Sequence, residues 1–226
     1  MVMSGKKTMQ PQELPQPTLN RLCRIYSLLA ELEAAGKRNA ASAQIGAMLG
    51  ISAASIRKDI SLVGDIDSTG ARYDVAKLKA HLSSKFGFGA KRRACVVGIG
   101  RLGSAILDYG QLELQGYEVI AGFDSNMNTI ETKKTNVKLY PAYQIPDVVR
   151  REKIELAVLC VPAGAAQSAA DKLIDEGIRG IVNFTPATIK CDKDDVFISQ
   201  IDVVKEFRLL SAMISLDGGH EQRHTI

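Results

Sequence analysis

Three glycines at a fixed spacing, Gly98, Gly100 and Gly103, are the residues that most directly suggest a binding site. They lie in a run that follows a short apolar stretch at 94–97 and precedes a predicted helix at 104–114. In a dinucleotide-binding loop the first glycine allows a tight turn, the second lets the backbone approach a pyrophosphate, and the third lets the helix pack against the strand. The helix N-terminus then offers free N–H groups to the phosphates. This context predicts a dinucleotide site formed by Gly98, Ile99, Gly100, Arg101, Leu102 and Gly103.

An acidic residue follows at the distance that such a site requires. Asp124 ends the next predicted strand, 117–123, and lies 24 residues after Gly100, which suits an acid that hydrogen-bonds the adenosine ribose hydroxyls. Ser125 and Asn126 come next, so no neighbouring cation is present to hold a 2′-phosphate. Because a carboxylate repels that phosphate, the sequence predicts NAD(H) rather than NADP(H). A Rossmann-like core without a nucleotide, or with another adenosine nucleotide, stays open as an alternative.

Hydride-transfer chemistry needs a proton donor or acceptor near the substrate. The histidines, His81, His220 and His224, do not follow any predicted strand of the glycine-loop half. Tyr109 and Lys205 do not form a Tyr-x-x-x-Lys pairing. The sequence therefore predicts no catalytic residues and favours a regulator, with an NAD-dependent dehydrogenase as the less favoured alternative.

The charge of the chain is uneven along its length. Residues 1–93 contain 15 Lys and Arg against 7 Asp and Glu, a net charge of +8, whereas the remainder contains 14 against 18, a net charge of −4. A basic front half on a mildly acidic back half predicts a polyanion as partner of the front half only. An incidentally basic surface is the alternative explanation.

The basic half has the pattern of a winged helix-turn-helix. Helices are predicted at about 42–49 and 53–62 around a turn in which Ser52 caps the second helix, and a β-hairpin is predicted at 64–75. The second helix buries Ile56 and Ile60 and exposes an opposite face that includes Asp59. We expect Arg57 to contact a guanine and Lys58 to contact phosphate. The predicted DNA contacts are Ala53, Ser55, Arg57, Lys58, Arg72, Tyr73 and Lys77. A small helical domain with a solvated charged face is the alternative.

The back half alternates apolar strands with helices. Strands are predicted at 94–97, 117–123, 138–140, 154–161, 178–184 and 196–201. Such alternation predicts a parallel sheet with helices on both faces, which is a Rossmann-like α/β fold. The last helix, predicted at 202–215, has an apolar stripe that either closes its own domain or docks on a second subunit.

Several classes of protein are disfavoured by composition. No apolar run approaches the ~20 residues that span a bilayer, so no membrane role is predicted. The first 17 residues lack the apolar segment of a signal peptide. The four cysteines lie far apart with no Cys/His cluster, so we expect no metal site and a reducing cytoplasm. A redox role for Cys23 or Cys191 is a minor alternative.

The motifs together resemble those of the Rex family of redox-sensing transcriptional repressors. The run Val97-Gly98-Ile99-Gly100-Arg101-Leu102-Gly103-Ser104-Ala105 is similar to the Rex dinucleotide loop. Ile56-Arg57-Lys58-Asp59-Ile60-Ser61 resembles its recognition helix, and 177–186 resembles its fifth-strand segment. The resemblance covers nearly all of 18–215 in the same order. Val203 stands where the family has an aromatic residue, Ser27 stands where it has an arginine, and the hairpin keeps only Gly64, Gly70 and Tyr73 of an aromatic and glycine-rich pattern.

This resemblance implies a cytoplasmic homodimer that represses transcription, senses the NADH/NAD⁺ ratio and releases a palindromic operator in double-stranded DNA on binding NADH. It implies a winged-helix domain at 1–90, an NAD(H)-binding domain at 91–201 and an exchanged dimerisation helix with a tail at 202–226. The nicotinamide would lie near Val161, Pro162, Ala163 and Asn183. Tyr109, Asp202, Val203 and Phe207 would serve the switch and the dimer. A regulator of the same build that senses another nucleotide or an acyl-CoA is the alternative.

Overall fold

The structure is a computed structural model that describes residues 14–64, 68–69 and 72–221. The chain divides into two compact units, Met1–Ala90 and Lys91–Ile226. Residues 65–67 and 70–71 of the predicted hairpin, including Gly70, and the last part of the predicted tail, residues 222–226 with His224, lie outside the described residues. No helix among the described residues is long and apolar enough to cross a membrane.

The first unit contains four helices and a small antiparallel sheet among its described residues. Its elements are α1 (Gln16–Ala34), β1 (Asn39–Ala41), α2 (Ser42–Leu49), α3 (Ala53–Val63), β2 (Ser68–Thr69), β3 (Arg72–Asp74) and α4 (Val75–Phe86). The strands pair in the order β1-β3-β2. The helices predicted at about 42–49 and 53–62 are confirmed as α2 and α3, whereas β1 was missed because three residues are too few to show an alternating pattern. The fully buried side chains of the core include Leu22, Ile25, Leu29, Ile45, Ile56, Leu78 and Leu82.

The turn between α2 and α3 depends on two glycines. Gly50 ends α2 in the left-handed region with φ +66°, where a side chain would be strained. A Cβ atom at Gly46 would lie 2.3 Å from the carbonyl oxygen of Ile51, so only glycine lets the turn pack this closely. The predicted cap is confirmed, because the Ser52 hydroxyl accepts the backbone N–H of Ser55 at 3.1 Å. These contacts set the start of α3 against α2.

The structure corrects the prediction that Asp59 lies on the exposed face of α3. Its side chain is 1% exposed, and both carboxylate oxygens accept hydrogen bonds from Arg21 of α1, at 2.6 Å from Nε and 2.8 Å from Nη2. Residues 56, 59, 60 and 63 share one face of α3, and all four are buried. The carboxylate is therefore on the core side, where the Arg21 guanidinium compensates its charge.

The second unit contains a six-stranded sheet. Its elements are β4 (Arg92–Val97), α5 (Arg101–Leu107), α6 (Gln111–Leu114), β5 (Tyr117–Asp124), α7 (Met127–Thr132), β6 (Lys138–Pro141), α8 (Ile145–Glu152), β7 (Leu156–Leu159), α9 (Ala163–Asp175), β8 (Gly180–Asn183), β9 (Phe197–Gln200) and α10 (Val203–Glu221). The strands lie in the order β6-β5-β4-β7-β8-β9, and every neighbouring pair is parallel. The predicted Rossmann-like sheet is confirmed.

Two local predictions for this unit were incomplete. The single helix expected at 104–114 is divided into α5 and α6 by Asp108, Tyr109 and Gly110. The short helix α7 was missed, although Asn126 caps it by accepting the backbone N–H of Asn128 at 3.0 Å. Both differences lie in short polar segments, where hydrophobic periodicity is weakest.

The last helix, α10, leaves its apolar stripe in solvent. Val203, Phe207, Leu210 and Ile214 are 59%, 67%, 54% and 73% exposed. The core of the unit lies instead on the two faces of the sheet, around Phe123 and Leu159 on one face and Val96 on the other. The described part of this chain therefore does not bury the stripe, which argues against the alternative that α10 closes its own domain.

Replacement of the buried carboxylate in Asp59→Ala is expected to destabilise the first unit by about 3 kcal/mol, because it leaves Arg21 without its partner. The measurement is the free energy of unfolding from urea denaturation followed by circular dichroism. Glu33→Ala is the matched control, because it breaks the exposed Lys79–Glu33 pair and should cost less than about 1 kcal/mol. Equal losses in the two variants would contradict the structural role given to Asp59.

Candidate functional site

The glycine loop connects the end of β4 to the start of α5. Gly98 has φ +91°, and a Cβ atom there would lie 2.7 Å from the carbonyl oxygen of Cys160. A Cβ atom at Gly103 would lie 1.9 Å from the carbonyl oxygen of Gly98, so α5 can approach the loop only with glycine at this position. In contrast, nothing lies within 4 Å of the Cβ position of Gly100. The loop is thus tightly packed at both ends and open at its centre. A pyrophosphate needs such an open space to approach the protein backbone.

Asp124 holds this loop from the neighbouring strand. It is the last residue of β5, and its Oδ2 accepts the backbone N–H of Ile99 at 2.7 Å. Its Oδ1 accepts the backbone N–H of Asn126 at 2.8 Å. An ionised carboxylate has about four lone-pair sites, so each oxygen keeps acceptor capacity for the hydroxyls of a ribose. Asp124 can therefore order the loop and bind a sugar with the same group.

The strand order places these residues at a topological switch point. β4 pairs with β5 on one side and with β7 on the other, so the connections leave β4 in opposite directions along the sheet. In open parallel sheets, ligands bind in the crevice at the carboxyl ends of such strands. A cavity of about 420 Å³ lies here, and its lining includes Gly98, Asp124, Ser125, Ala142, Val161 and Pro162.

One face of α9 completes the cavity, and sequence reasoning missed it. Gly164, Ala165, Ser168, Ala169 and Lys172 line the same space. The small residues recur at helical spacing, a signal that could have been read from the sequence. Lys172 is far from Asp124 in the chain, so the local sequence around Asp124 did not reveal that a cation shares its cavity. The site therefore contains one carboxylate and one ammonium group between largely apolar walls.

The residues predicted to lie near the nicotinamide differ from one another in solvent exposure. Val161 is half-buried, and Pro162 and Ala163 are exposed where α9 begins. Asn183 is fully buried, and its side-chain amide is bonded to the chain itself, through Thr185, Ala187 and Gln200. We therefore remove Asn183 from the set of direct cofactor contacts, because its polar atoms are already used. Arg101 and Leu102 are exposed on the first turn of α5.

The first unit presents part of its predicted DNA-binding set to solvent. Lys58 on α3, Arg72 on β3 and Lys77 on α4 are exposed, whereas Ala53 and Ser55 are partly exposed. Arg57 is exposed as well, and its Nη1 donates a hydrogen bond to the buried hydroxyl of Ser42 at 3.2 Å. A guanidinium held in this way loses less side-chain entropy when it contacts a base.

Tyr73 is the exception in this set. It is 5% exposed and packs in the core of the first unit, and burial raises the pKa of its hydroxyl while the nearby charge of Arg57 lowers it. The prediction that Tyr73 contacts DNA is therefore corrected, because its side chain is buried. Its position on β3, paired with Ala40 of β1, indicates that it anchors the small sheet instead.

The predicted switch residues lie at the ends of helices. Tyr109 is 58% exposed in the segment between α5 and α6. Asp202 precedes α10, and its Oδ1 accepts the backbone N–H of Lys205 at 3.0 Å, as an N-cap does. Val203 and Phe207 follow on the exposed stripe of α10.

Cys95 is buried and Cys160 is half-buried, and both have the properties of structural thiols. Burial raises the pKa of Cys160 to about 11 and that of Cys95 to about 12, and it also raises the pKa of Cys23. A raised pKa keeps the thiol protonated near neutral pH, which is the unreactive form. Among the described residues, no group of three or more His, Cys, Asp or Glu is arranged to hold a metal ion.

Alkylation of Cys160 by iodoacetamide at pH 8 should be at least about a hundredfold slower in the native chain than in urea, because the thiolate fraction at a pKa of about 11 is about one in a thousand. Peptide mass spectrometry measures the rate. Its pH profile supplies the control: the native rate should still rise above pH 10, whereas the rate in urea levels off near pH 9. Native and unfolded profiles that coincide would contradict the shift.

Two family models match the chain. The one described as "Putative DNA-binding protein N-terminus" matches residues 13–61, and the one described as "CoA binding domain" matches residues 90–187. The first therefore covers the helix-turn-helix, and the second covers the glycine loop and Asp124.

Curated relatives and solved structures are similar over most of the chain. The redox-sensing transcriptional repressor Rex of Porphyromonas gingivalis (strain ATCC 33277) is 34% identical over 81% of this chain and 84% of its own. Rex of Rhodopirellula baltica is 33% identical over 89% of this chain and 85% of its own.

A crystal structure of RSP with β-NAD⁺ and operator DNA has a TM-score of 0.84 at 27% identity and covers 96% of this chain and 97% of that one. RSP with β-NADH has a TM-score of 0.82 at 26% identity and covers 93% and 98%. RSP is a Rex-family repressor. With identity above 30% across four-fifths of both chains and the same fold throughout, this chain belongs to the Rex family of redox-sensing transcriptional repressors.

Proposed function

We propose that this chain represses transcription by binding operator DNA, and that it releases the operator when NADH binds. The observation that carries the proposal is the bond from Ile99 N–H to Asp124, which orders the glycine loop beside the switch-point cavity in a chain of the Rex family. The Rex-family repressor RSP has been crystallised with β-NADH, and with β-NAD⁺ and operator DNA. We propose that the chain acts in the cytoplasm, and as a regulator rather than an enzyme, because the relatives that it matches are transcriptional repressors.

The adenosine half of NAD(H) fits the cavity beside Asp124. The carboxylate would accept hydrogen bonds from the ribose hydroxyls, and the apolar wall at Ala142 would contact the adenine. The pyrophosphate would lie over Gly100, where the backbone is open. Arg101 and Leu102 flank that position on the first turn of α5.

The nicotinamide half would extend toward Val161, Pro162 and Ala163. These side chains carry no charge, so the uncharged ring of NADH enters more easily than the cationic ring of NAD⁺, which must lose its hydration. This difference in desolvation is the physical basis that we propose for sensing the NADH/NAD⁺ ratio. Val203 adds a further apolar side chain if a partner's α10 covers the ring.

DNA recognition is assigned to α3 and the sheet of the first unit. Arg57, held by Ser42, would contact a guanine in the major groove, and the small residues Ala53 and Ser55 would let α3 approach the bases. Lys58, Arg72 and Lys77 would contact phosphates. The net charge of +8 on residues 1–93 supports a polyanion partner.

The exposed stripe of α10 supports a homodimer. Large apolar side chains such as Phe207 and Ile214 are more than two-thirds exposed, and an apolar stripe of this length favours burial against another surface. We propose that the two α10 helices are exchanged between protomers, and that Tyr109 and Asp202 pass the state of the nucleotide site to the DNA-binding units. The first units of the two protomers would then each bind one half of a palindromic operator.

A second candidate ligand rests on one observation. Residues 90–187 match the model described as "CoA binding domain", and Lys172 is a cation in the cavity that could contact an additional phosphate. CoA and NADPH both carry a phosphate on the adenosine ribose. Asp124 disfavours that phosphate through charge repulsion, so we rank NADH first.

Saturating NADH should weaken binding of a fluorescent operator duplex by at least about tenfold, because a nearly complete switch requires a few kcal/mol of differential affinity. Fluorescence anisotropy at fixed salt measures the dissociation constant with NADH, NAD⁺, NADPH or CoA. We expect NADH to act at the lowest concentration. An unchanged DNA affinity at saturating NADH would falsify the proposed function, and a larger effect of CoA would favour the second candidate. Absence of turnover with small alcohols and hydroxy acids is the expected result of an absorbance assay.

Asp124→Asn should weaken NADH binding by about tenfold or more, since a charge-assisted hydrogen bond contributes ~1.5–3 kcal/mol. The same variant should bind NADPH more tightly than wild type does, because the repulsion is removed. Calorimetric titration measures both affinities. Adding Lys172→Met to Asp124→Asn is the matched control, and it should remove the gain for NADPH while leaving NADH binding near that of the single variant. A gain that survives the second substitution would show that Lys172 does not contact the phosphate.

A further inference from the structure

Two side-chain amides are bonded to each other where β8 and β9 end. Asn183 is the last residue of β8, and Gln200 is the last residue of β9 and pairs with it in the sheet. The Asn183 Nδ2 donates to Gln200 Oε1 at 2.7 Å, and Gln200 Nε2 donates to the carbonyl oxygen of Thr185 at 2.6 Å. Gln200 therefore bonds both to the strand next to it and to the loop that follows that strand.

The loop after β8 is held in one conformation by the same network. Asn183 Nδ2 also donates to the carbonyl oxygen of Ala187 at 2.8 Å, and its Oδ1 accepts the backbone N–H of Thr185 at 2.9 Å. Asn183 is 0% exposed and Thr185 is 2% exposed, so the bond between them is shielded from water, whereas Gln200 at the other end of the network is exposed. A buried amide that loses such a partner keeps its desolvation cost. Movement of the loop at 184–187 is therefore resisted unless Gln200 moves with it.

This network lies between the nucleotide side of the sheet and the base of α10. The carboxyl ends of parallel strands share one edge, so the loop at 184–187 is on the same edge as the glycine loop and Asp124. The Phe184 N–H donates to the carbonyl oxygen of Leu159 at 3.0 Å, which joins the loop to the end of β7 just before Val161. On the other side, Gln200 is followed after one residue by Asp202, the cap of α10.

We propose that Gln200 is a positioning residue that transmits occupancy of the nucleotide site to α10. A nucleotide that shifts the segment after β7 also shifts the loop at 184–187, and the amide pair carries this displacement to the end of β9 and the start of α10. Gln200 itself does not contact the nucleotide. The inference rests on the proposed function and deepens it by naming the connection between sensing and DNA release.

The backbone bonds of the sheet are independent of the Gln200 side chain. The ladder from Gly180–Phe197 to Asn183–Gln200 persists without it, and the Ile201 N–H still donates to the carbonyl oxygen of Asn183 at 2.9 Å. Loss of the side-chain bonds is thus expected to uncouple the loop from α10 and to leave the fold and the nucleotide site in place.

The test compares Gln200→Leu with the wild-type chain and with Gln167→Leu. Gln167 is a matched control, because its amide also bonds to both a side chain and the backbone of a loop, but far from α10 in the chain. Its Nε2 donates to Asp171 Oδ1 at 2.8 Å and to the carbonyl oxygen of Lys190 at 3.0 Å, and its Oε1 accepts the backbone N–H of Lys190 at 2.9 Å. Calorimetry gives the dissociation constant for NADH. Anisotropy gives the ratio of operator dissociation constants with and without NADH, which a merely structural residue would not change.

Gln200→Leu should bind NADH and operator each within about threefold of wild type, whereas the ratio should fall from at least about tenfold to below about twofold. Gln167→Leu should keep the wild-type ratio. If Gln200→Leu does not fold, Gln200→Met replaces it, because methionine keeps the length of the side chain but neither accepts from Asn183 nor donates to Thr185 as the amide does, and the same loss of ratio is expected.

An unchanged ratio in the folded variant overturns the inference, and so does a loss of NADH binding, which would make Gln200 part of the nucleotide site. A wild-type chain whose DNA affinity ignores NADH overturns the proposed function itself. A wild type that responds, together with a Gln200 variant that responds equally, overturns only the inference.

Discussion

The hydrogen bond between the backbone N–H of Ile99 and the carboxylate of Asp124 is the interaction on which the second unit depends. It joins the ends of two neighbouring strands at the position where the connections of the sheet reverse direction. Gly98 and Gly103 have no room for a side chain, so neither of these positions can supply one to hold the glycine loop. A carboxylate from outside the loop therefore supplies the order, and its remaining lone pairs face the cavity that we assign to adenosine.

The first unit uses a carboxylate in the opposite way. Asp59 is buried, and its two oxygens both accept hydrogen bonds from Arg21, so its charge fixes α3 on α1 and is compensated by the guanidinium. The surface charge comes instead from Lys58, Arg72 and Lys77. A rigid helix with exposed cations can bind a phosphate backbone. Phosphate contacts fix the orientation of the protein on the duplex, and base contacts depend on that orientation. In the second unit the Asp124 carboxylate therefore accepts a backbone N–H, whereas in the first unit the Asp59 carboxylate pairs with a guanidinium.

Much of the fold was predictable from the sequence because its signals are local. Helical spacing of apolar residues located α2 and α3, and alternation of strands and helices predicted the parallel sheet. The errors share one cause, which is that burial depends on neighbours distant in the chain. Asp59 and Tyr73 were expected at the surface, yet Arg21 from α1 binds Asp59 and the core side chains of several elements pack around Tyr73. Asn183 was expected to contact a cofactor, yet the bonds with Gln200 and Ala187 use its amide.

By itself, the sequence determined the residues that act at short range: the glycine loop, the acid at the end of the next strand, the cap at Ser52 and the basic helix. These follow from spacing along one or two elements, where the period of a helix or a strand dictates which side chains coincide. Only the tertiary structure decided that Lys172 shares a cavity with Asp124, that Ser42 holds Arg57, and that Gln200 bonds to the loop after β8. Packing brings such residues together from distant parts of the chain, and no local period records which partners will meet.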